Sequence, residues 1–245
     1  MPQEITAVVE AWLAKADEFA SRRHRPLVTL SYAQSIDGSI SAKRGEPLLL
    51  SSSAARRLTH QLRALHDAIL VGIGTVLADN PRLTVREIAG KHPQPIVLDS
   101  RLRFPFQAAL FDHPSCRPWV ATLETEAHPR WRELEQRGVK LLSFAGDSRT
   151  MIPWQELLEA LTDWGVHSVM VEGGARVITT LLSSGLADQA VITIAPLFVG
   201  GLSVCESPFL PLGKYPAFEK AFCRSLGGDI VIWGKMRKET GGTPR

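Results

Sequence analysis

The 245-residue chain has only three cysteines, Cys116, Cys205 and Cys223. They form no CxxC pair, and the odd count argues against a small fold framed by disulfides. No continuous apolar run approaches the roughly 18 residues that suggest a membrane-spanning helix. The opening MPQEITAVVEAWL carries an early acid and regular polar residues, unlike a secretory signal, so a cytoplasmic protein with no membrane partner is expected. Charge of one sign is scarce too. Lysine and arginine total 28 against 25 aspartates and glutamates, a net +3. That balance permits anionic ligands and gives no ground for a nucleic-acid partner.

Several catalytic signatures are also missing. The seven histidines are dispersed and form no zinc-hydrolase motif, so no metal site is expected. GxSxG, PCxxC and GxxxxGK do not occur, which removes the α/β-hydrolase, zinc-deaminase and P-loop readings. The GIG at 72–74 opens a dinucleotide fingerprint, but Leu77 stands where its third glycine belongs. The six scattered tryptophans read as packing residues rather than a base-stacking surface.

What is present is a core-forming chain, 44% hydrophobic, with short apolar runs alternating with helical patterns. LVTLSYAQS, AILVGIG, PIVLD, PWVATL, VKLLSF, SVMVE, QAVITIAP and DIVIWG read as strands. AARRLTHQLRAL, EAHPRWRELEQRG, PWQELLEALTDWG and GARVITTLLSSG read as helices, the first capped by Ser51 or Ser52. The alternation predicts an α/β fold with a central, largely parallel sheet and helices on both faces. Ile5, Val8, Val9, Trp12, Leu13, Ala16 and Phe19 recur at helical spacing, predicting one amphipathic helix within residues 1–24 that packs on the body. The main domain is expected over 25–235, and 236–245 as a solvated basic tail. No linker or internal repeat divides the chain.

Three loops hold the candidate chemistry. In VGIGTVLADNPRLTVR the apolar run breaks into a loop offering the Thr75 hydroxyl, the Asp79 carboxylate and the Arg86 guanidinium. An ordinary turn at Asn80-Pro81 and a rim facing an anionic ligand both fit these residues. Arg63, on the preceding helix, could add a bidentate anion contact. In SVMVEGGARVITT a strand ends at Glu172, Gly173 and Gly174 and a helix begins at once. Glycines let a phosphate approach the backbone, and the first helical turn presents free N–H groups; a tight turn alone also explains them. Asp37-Gly38 is a turn signal, and Ser100 leaves a strand where a hydroxyl could reach a cofactor.

TLSYAQSIDGSISAKRGEP, LRALHDAILVGIGTVLADNPRLTVR, PIVLDSRLR and SVMVEGGARVITTLLSSGLADQAVITIAPLFVGG together resemble the reductase domain of riboflavin biosynthesis, from about Leu27 to Gly201. The resemblance implies a dihydrofolate-reductase-like fold, NADPH as cofactor and a homodimer. It implies reduction of a phosphoribosylaminopyrimidine by hydride transfer to the ribose-derived C1′, with the phosphate retained. Without a deaminase motif, the expected substrate is the 2,5-diamino-pyrimidinone. The alternatives are the 5-amino-uracil counterpart, a pterin or other heterocycle, and a non-catalytic nucleotide-binding protein. By the same resemblance Thr75, Asp79, Ser100, Gly174, Ala175, Arg176, Val177, Ile178, Thr179 and Thr180 match cofactor contacts. Arg63, Leu83, Arg86 and Glu172 match substrate contacts, and Asp37 and Gly38 sit in the first active-site loop. No residue is assigned as proton donor. Pro47 and Leu49 depart from the family, which often has serine and tryptophan there.

Overall fold

Valine- and isoleucine-rich runs become strands because their branched side chains suit a pleated surface buried on both faces. The computed structural model describes residues 2–145, 151–206 and 215–237. Its strands are β1 (Leu27–Ser35), β2 (Ser39–Ser41), β3 (Ala68–Gly72), β4 (Gln94–Leu98), β5 (Trp119–Thr122) and β6 (Lys140–Ser143). They continue with β7 (Ser168–Gly173), β8 (Gln189–Ala195), β9 (Leu202–Ser203), β10 (Phe218–Leu226) and β11 (Asp229–Met236). The helices are α1 (Pro2–Leu13), α2 (Ala16–Arg23), α3 (Ser53–Leu65) and α4 (Ile73–Asp79). They are followed by α5 (Trp131–Gln136), α6 (Trp154–Asp163) and α7 (Ala175–Ser183).

The main sheet runs β10-β11-β8-β1-β7-β3-β4-β5-β6. From β8 to β6 every neighbouring pair is parallel; β11 and β10 close the other edge antiparallel. The chain steps outward from β3 to β6, then returns to insert β7 between β1 and β3. That reversal opens a crevice beyond the carboxyl ends of the central strands. Alternation along β3 serves both faces. Ala68 and Leu70 join Leu157, Leu161, Ile178 and Leu181 of α6 and α7, while Ile69 and Val71 join Val76, Phe104, Trp131 and Leu134. A third cluster packs Ile5 and Val9 of α1 with Leu58 and Leu62 of α3 on Val191, Val231 and Trp233. Helices thus cover both faces, as the sequence pattern requires.

Three local expectations need correction. The N-terminal segment is two helices, because the Lys15 N–H turns back to the Trp12 carbonyl, and α2 runs on to Arg23 before His24 adopts φ 52°. The stretch after β3 is not a loop at once: Ile73 and Val76 are buried, and this apolar face draws 73–79 into α4. FEKAFCRSL escapes a strand reading because its apolar residues neither alternate with polar ones nor form a long run, yet this mostly exposed segment pairs with β11 as the sheet edge. Ser52 does cap α3, accepting the Ala55 N–H at 3.3 Å. Among the described residues no helix is long and apolar enough to cross a membrane. The tail beyond Arg237 lies outside the described residues.

Candidate active site

The strand ends converge on a crevice of about 600 Å³. Tyr32 and Ala33 line it from β1, Gly72 from β3, Leu98 from β4 and Glu172 from β7. Of the residues matched by resemblance, Thr75, Asp79, Ser100, Glu172, Gly174, Ala175, Arg176, Val177, Ile178 and Thr180 share this wall. Segments more than a hundred residues apart in sequence therefore meet at one site.

The turn from β7 into α7 is built from backbone. Gly173 and Gly174 have φ of +96° and +98°, a region that side chains disfavour. A Cβ at Gly173 would lie 2.9 Å from Ile178 Cδ1, and one at Gly174 would lie 3.4 Å from Thr75 Oγ1. Gly174 caps α7 without any side-chain hydrogen bond, so the first-turn N–H groups are left for a ligand. Thr75 stands opposite, its hydroxyl donating to the Gly173 carbonyl at 3.4 Å. Helix start, glycine pair, hydroxyl and the Arg176 charge fit a phosphate-bearing dinucleotide. Thr179 faces elsewhere: its hydroxyl donates to the Ala175 carbonyl and accepts the Glu206 N–H.

The other wall is built from side chains. Arg63 is not free for an anion. Its Nε and Nη2 donate to the two oxygens of Glu172, each at 2.6 Å, and its Nη1 donates to the Thr84 carbonyl at 2.9 Å. It stands behind the crevice, holding Glu172 in place. Leu83 is also turned away: its side chain is buried in the core, and its backbone takes φ 52°. Only that backbone is left to meet a ligand. Arg86 is exposed and does not line the crevice; its charge interacts with those of Arg63 and Glu172, and its Nη1 donates to Thr84 Oγ1 at 3.0 Å. Burial raises the Asp79 carboxyl above its usual range.

Asp37 proves to be a tie between loops. It accepts from the Ser35 hydroxyl and from the Val199 and Gly200 amides, which hold its carboxyl well below the ordinary range. Gly38 completes that turn with φ 77°, and neither residue lines the crevice. Pro47 does line it, whereas Leu49 points outward and its neighbour Leu48 takes a place on the wall.

Residues that the sequence did not single out complete the site. Arg44 joins the crevice lining, 3.5 Å from the Glu206 carboxylate, which the already matched Arg176 approaches at 3.8 Å. Arg103 sits near Ser100 at the β4 end. Its signal was the run SRLR after a strand, too common to weigh. Tyr32 lay within a run read only as a strand; burial, then the neighbouring Cys205, pushes its hydroxyl pKa upward.

Residues 26–232 match the family model described as the RibD C-terminal domain. A 2,5-diamino-6-ribosylamino-4(3H)-pyrimidinone 5′-phosphate reductase from Archaeoglobus fulgidus is 39% identical over 195 residues, covering 74% of this chain and 87% of that protein. Among solved structures, the riboflavin biosynthesis reductase of Saccharomyces cerevisiae superposes with a TM-score of 0.68 at 31% identity, over 87% of this chain and 91% of that one. RibD of Acinetobacter baumannii superposes with a TM-score of 0.78 at 27% identity, over 89% of this chain. The chain spans only 60% of that RibD. The backbone cradle, the crevice and these matches agree: the chain belongs to the RibD C-terminal domain family of riboflavin-biosynthesis reductases, with their dihydrofolate-reductase-like fold.

Proposed function

We propose that the protein reduces a phosphoribosylaminopyrimidine to its ribitylamino phosphate with NADPH, and that the substrate is the 2,5-diamino-pyrimidinone. The observation that carries this reading is the convergence of Thr75, Asp79, Ser100, Glu172 and the helix start at 174–178 on one crevice. Its volume falls in the range of small-molecule sites, roughly 300–1,000 Å³. Relatives that align over most of their own length are named for that diamino substrate, the Archaeoglobus reductase among them.

In this reading Gly174 and the first turn of α7 hold the cofactor diphosphate, with Arg176 beside them. Ser100 and Arg103 take the 2′-phosphate, further along the strand ends. Arg86 takes the substrate phosphate. Glu172, immobilised by Arg63, meets polar groups of the pyrimidine. Tyr32, Leu48 and Ile73 provide an apolar lining that excludes water. When bound, NADPH supplies the hydride; the chain supplies orientation and electrostatics. The proposal includes a homodimer, as the family resemblance implies, and sedimentation showing only monomer would remove that part.

The test is loss of NADPH absorbance with each pyrimidine in turn. Faster turnover of the diamino compound than of its uracil counterpart supports the reading, and the reverse order reassigns the substrate. Tight binding of NADPH and pyrimidine without oxidation would make the protein a binder rather than an enzyme.

A further inference from the structure

The segment from Asn80 to Arg86 forms neither helix nor strand, yet Leu83, Thr84 and Val85 are 1, 4 and 5% exposed. Buried irregular backbone has no regular ladder to satisfy its polar groups, and each one left unpaired is costly. Here side chains from two other segments take the ladder's place. Arg63 donates to the Thr84 carbonyl at 2.9 Å. His92 Nδ1 accepts the Val85 N–H at 3.1 Å, and His60 Nδ1 accepts the Arg86 N–H at 3.1 Å. Three successive residues are thus held by three side chains.

The two histidines act as acceptors, so each ring must leave Nδ1 unprotonated. His60 is 5% exposed. Burial lowers its pKa first, and the charges of Arg63 and Arg86 lower it further, against the opposing pull of Glu87 and Glu172. His113 stands edge-on to His92, with ring centroids 5.5 Å apart, and limits its rotation. His60 lies three residues before Arg63 on α3. One helix therefore fixes both Glu172 and the Arg86 backbone.

We propose that His60 and His92 are positioning residues for the substrate: their Nδ1 atoms fix the backbone from which Arg86 reaches the substrate phosphate. This rests on the reading of Arg86 as the phosphate contact, so Arg86→Ala is measured alongside. Neither histidine lies on the crevice wall, and neither takes part in the hydride step.

The experiment compares His60→Ala with His60→Asn, whose Oδ1 can stand in for Nδ1 as an uncharged acceptor. Steady-state kinetics are measured at pH 7.5, with NADPH affinity from fluorescence titration. Calorimetry of the ribitylamino phosphate product reads binding without turnover. His60→Ala should raise the substrate KM and weaken product binding roughly tenfold, the scale of one lost hydrogen bond at a phosphate anchor. It should leave kcat within about twofold and NADPH affinity unchanged. His60→Asn should restore most of the KM. Should His60→Ala fail to fold, His92→Ala, at a less buried ring, carries the test, with an expected KM rise of roughly threefold. A folded His60→Ala with wild-type KM, while Arg86→Ala raises KM, overturns the proposal. So does parallel loss of substrate and NADPH binding in both His60 variants, which marks a general structural role. If Arg86→Ala itself leaves KM and product affinity unchanged, the phosphate reading falls and this proposal with it.

Discussion

The two walls of the crevice are made by opposite means. On the side proposed for the cofactor the candidate ligand-facing groups are backbone atoms presented by repetitive elements: β7 ends, two glycines take positive φ, and α7 starts. On the side proposed for the substrate an irregular segment is hung on side chains from elsewhere, with Arg63 and His60 from α3 and His92 from the next loop. The first wall tolerates changes of side-chain identity but no added Cβ. The second can absorb backbone irregularity but cannot lose a side chain, because each one satisfies a buried partner. Damage to the two should therefore separate: one costs cofactor affinity, the other stability and substrate affinity.

The sharpest way to break this comparison is Arg63→Ala. Arg63 and Glu172 are 11 and 15% exposed at their side chains, and removing one partner strands the other's charge. The expected loss is about 3–5 kcal/mol of folding stability, read from urea midpoints. Arg63→Met with Glu172→Leu should recover most of that stability without recovering substrate use, because an apolar pair can replace a buried ion pair in the fold. If Arg63→Ala costs under about 1 kcal/mol yet still raises KM, Arg63 is a phosphate contact after all.

Gly174→Val tests the opposite wall. A branched side chain at φ +98° is strained and intrudes toward Thr75 Oγ1. NADPH binding should weaken roughly 100-fold, about 2.7 kcal/mol, while calorimetric binding of the product alone changes little. Equal losses on both ligands would show that the walls are not separable.

The same contrast explains what the sequence made legible. Strands, α3, α6, α7 and the glycine turn all rest on local rules of periodicity, capping and positive φ. Those rules marked the glycine turn as a place where a phosphate could approach, and the family resemblance made it a cofactor contact. The substrate wall rests on pairings with no local signature: Arg63 with Glu172 across 109 residues and His60 with Arg86 across 26. A lone arginine before an anion-site loop reads as a ligand contact, and only the fold shows its charge already matched. Leu83, matched through the resemblance, is a related case. Its backbone sits beside Thr84, but nothing in NPRLTVR announces that the leucine side chain turns inward. α4 was hidden because GIG and DNP flank it so closely that seven residues looked like one loop.

Acid should find the far end of α3, where a fully buried histidine bonds into the core. His66 is the extended residue that caps the C-terminal end of α3, three residues beyond Arg63. Its Nδ1–H meets the Leu62 carbonyl, and its Nε2 accepts from the Thr29 hydroxyl, which in turn accepts from Gln189. Complete burial, chiefly by desolvation, lowers its pKa from 6.5 to about 4. Because the folded value is depressed, its stabilisation is present above pH 6.5 and lost as pH falls toward 4. By pH 4.5 the loss should reach about 2 kcal/mol relative to pH 7. Replacing His66 with Gln should flatten that part of the pH dependence of the urea midpoint. An unchanged slope would mean that other groups carry it.

The smallest expected effect probes the far end of the cofactor wall, where backbone recognition gives way to a side chain. Arg103 is 55% exposed and lies 3.8 Å from Asp99 Oδ1. Asp99 is buried, its Oδ2 accepts the Phe104 N–H at 2.7 Å, and burial raises its carboxyl pKa. Asp99 is therefore committed to shaping the turn after β4 and holds Arg103 only loosely. A guanidinium so placed is available to a second anion beside the Ser100 hydroxyl, and NADPH differs from NADH by one phosphate. Arg103→Ala should weaken NADPH roughly tenfold and leave NADH within about twofold, as read by fluorescence titration. An exposed contact is screened by salt, so the wild-type preference for NADPH should shrink between 50 and 500 mM NaCl, and that of the variant should not. Equal weakening of both nucleotides would make Arg103 a general cation on the cofactor wall, and an unaltered preference would place the 2′-phosphate at another residue.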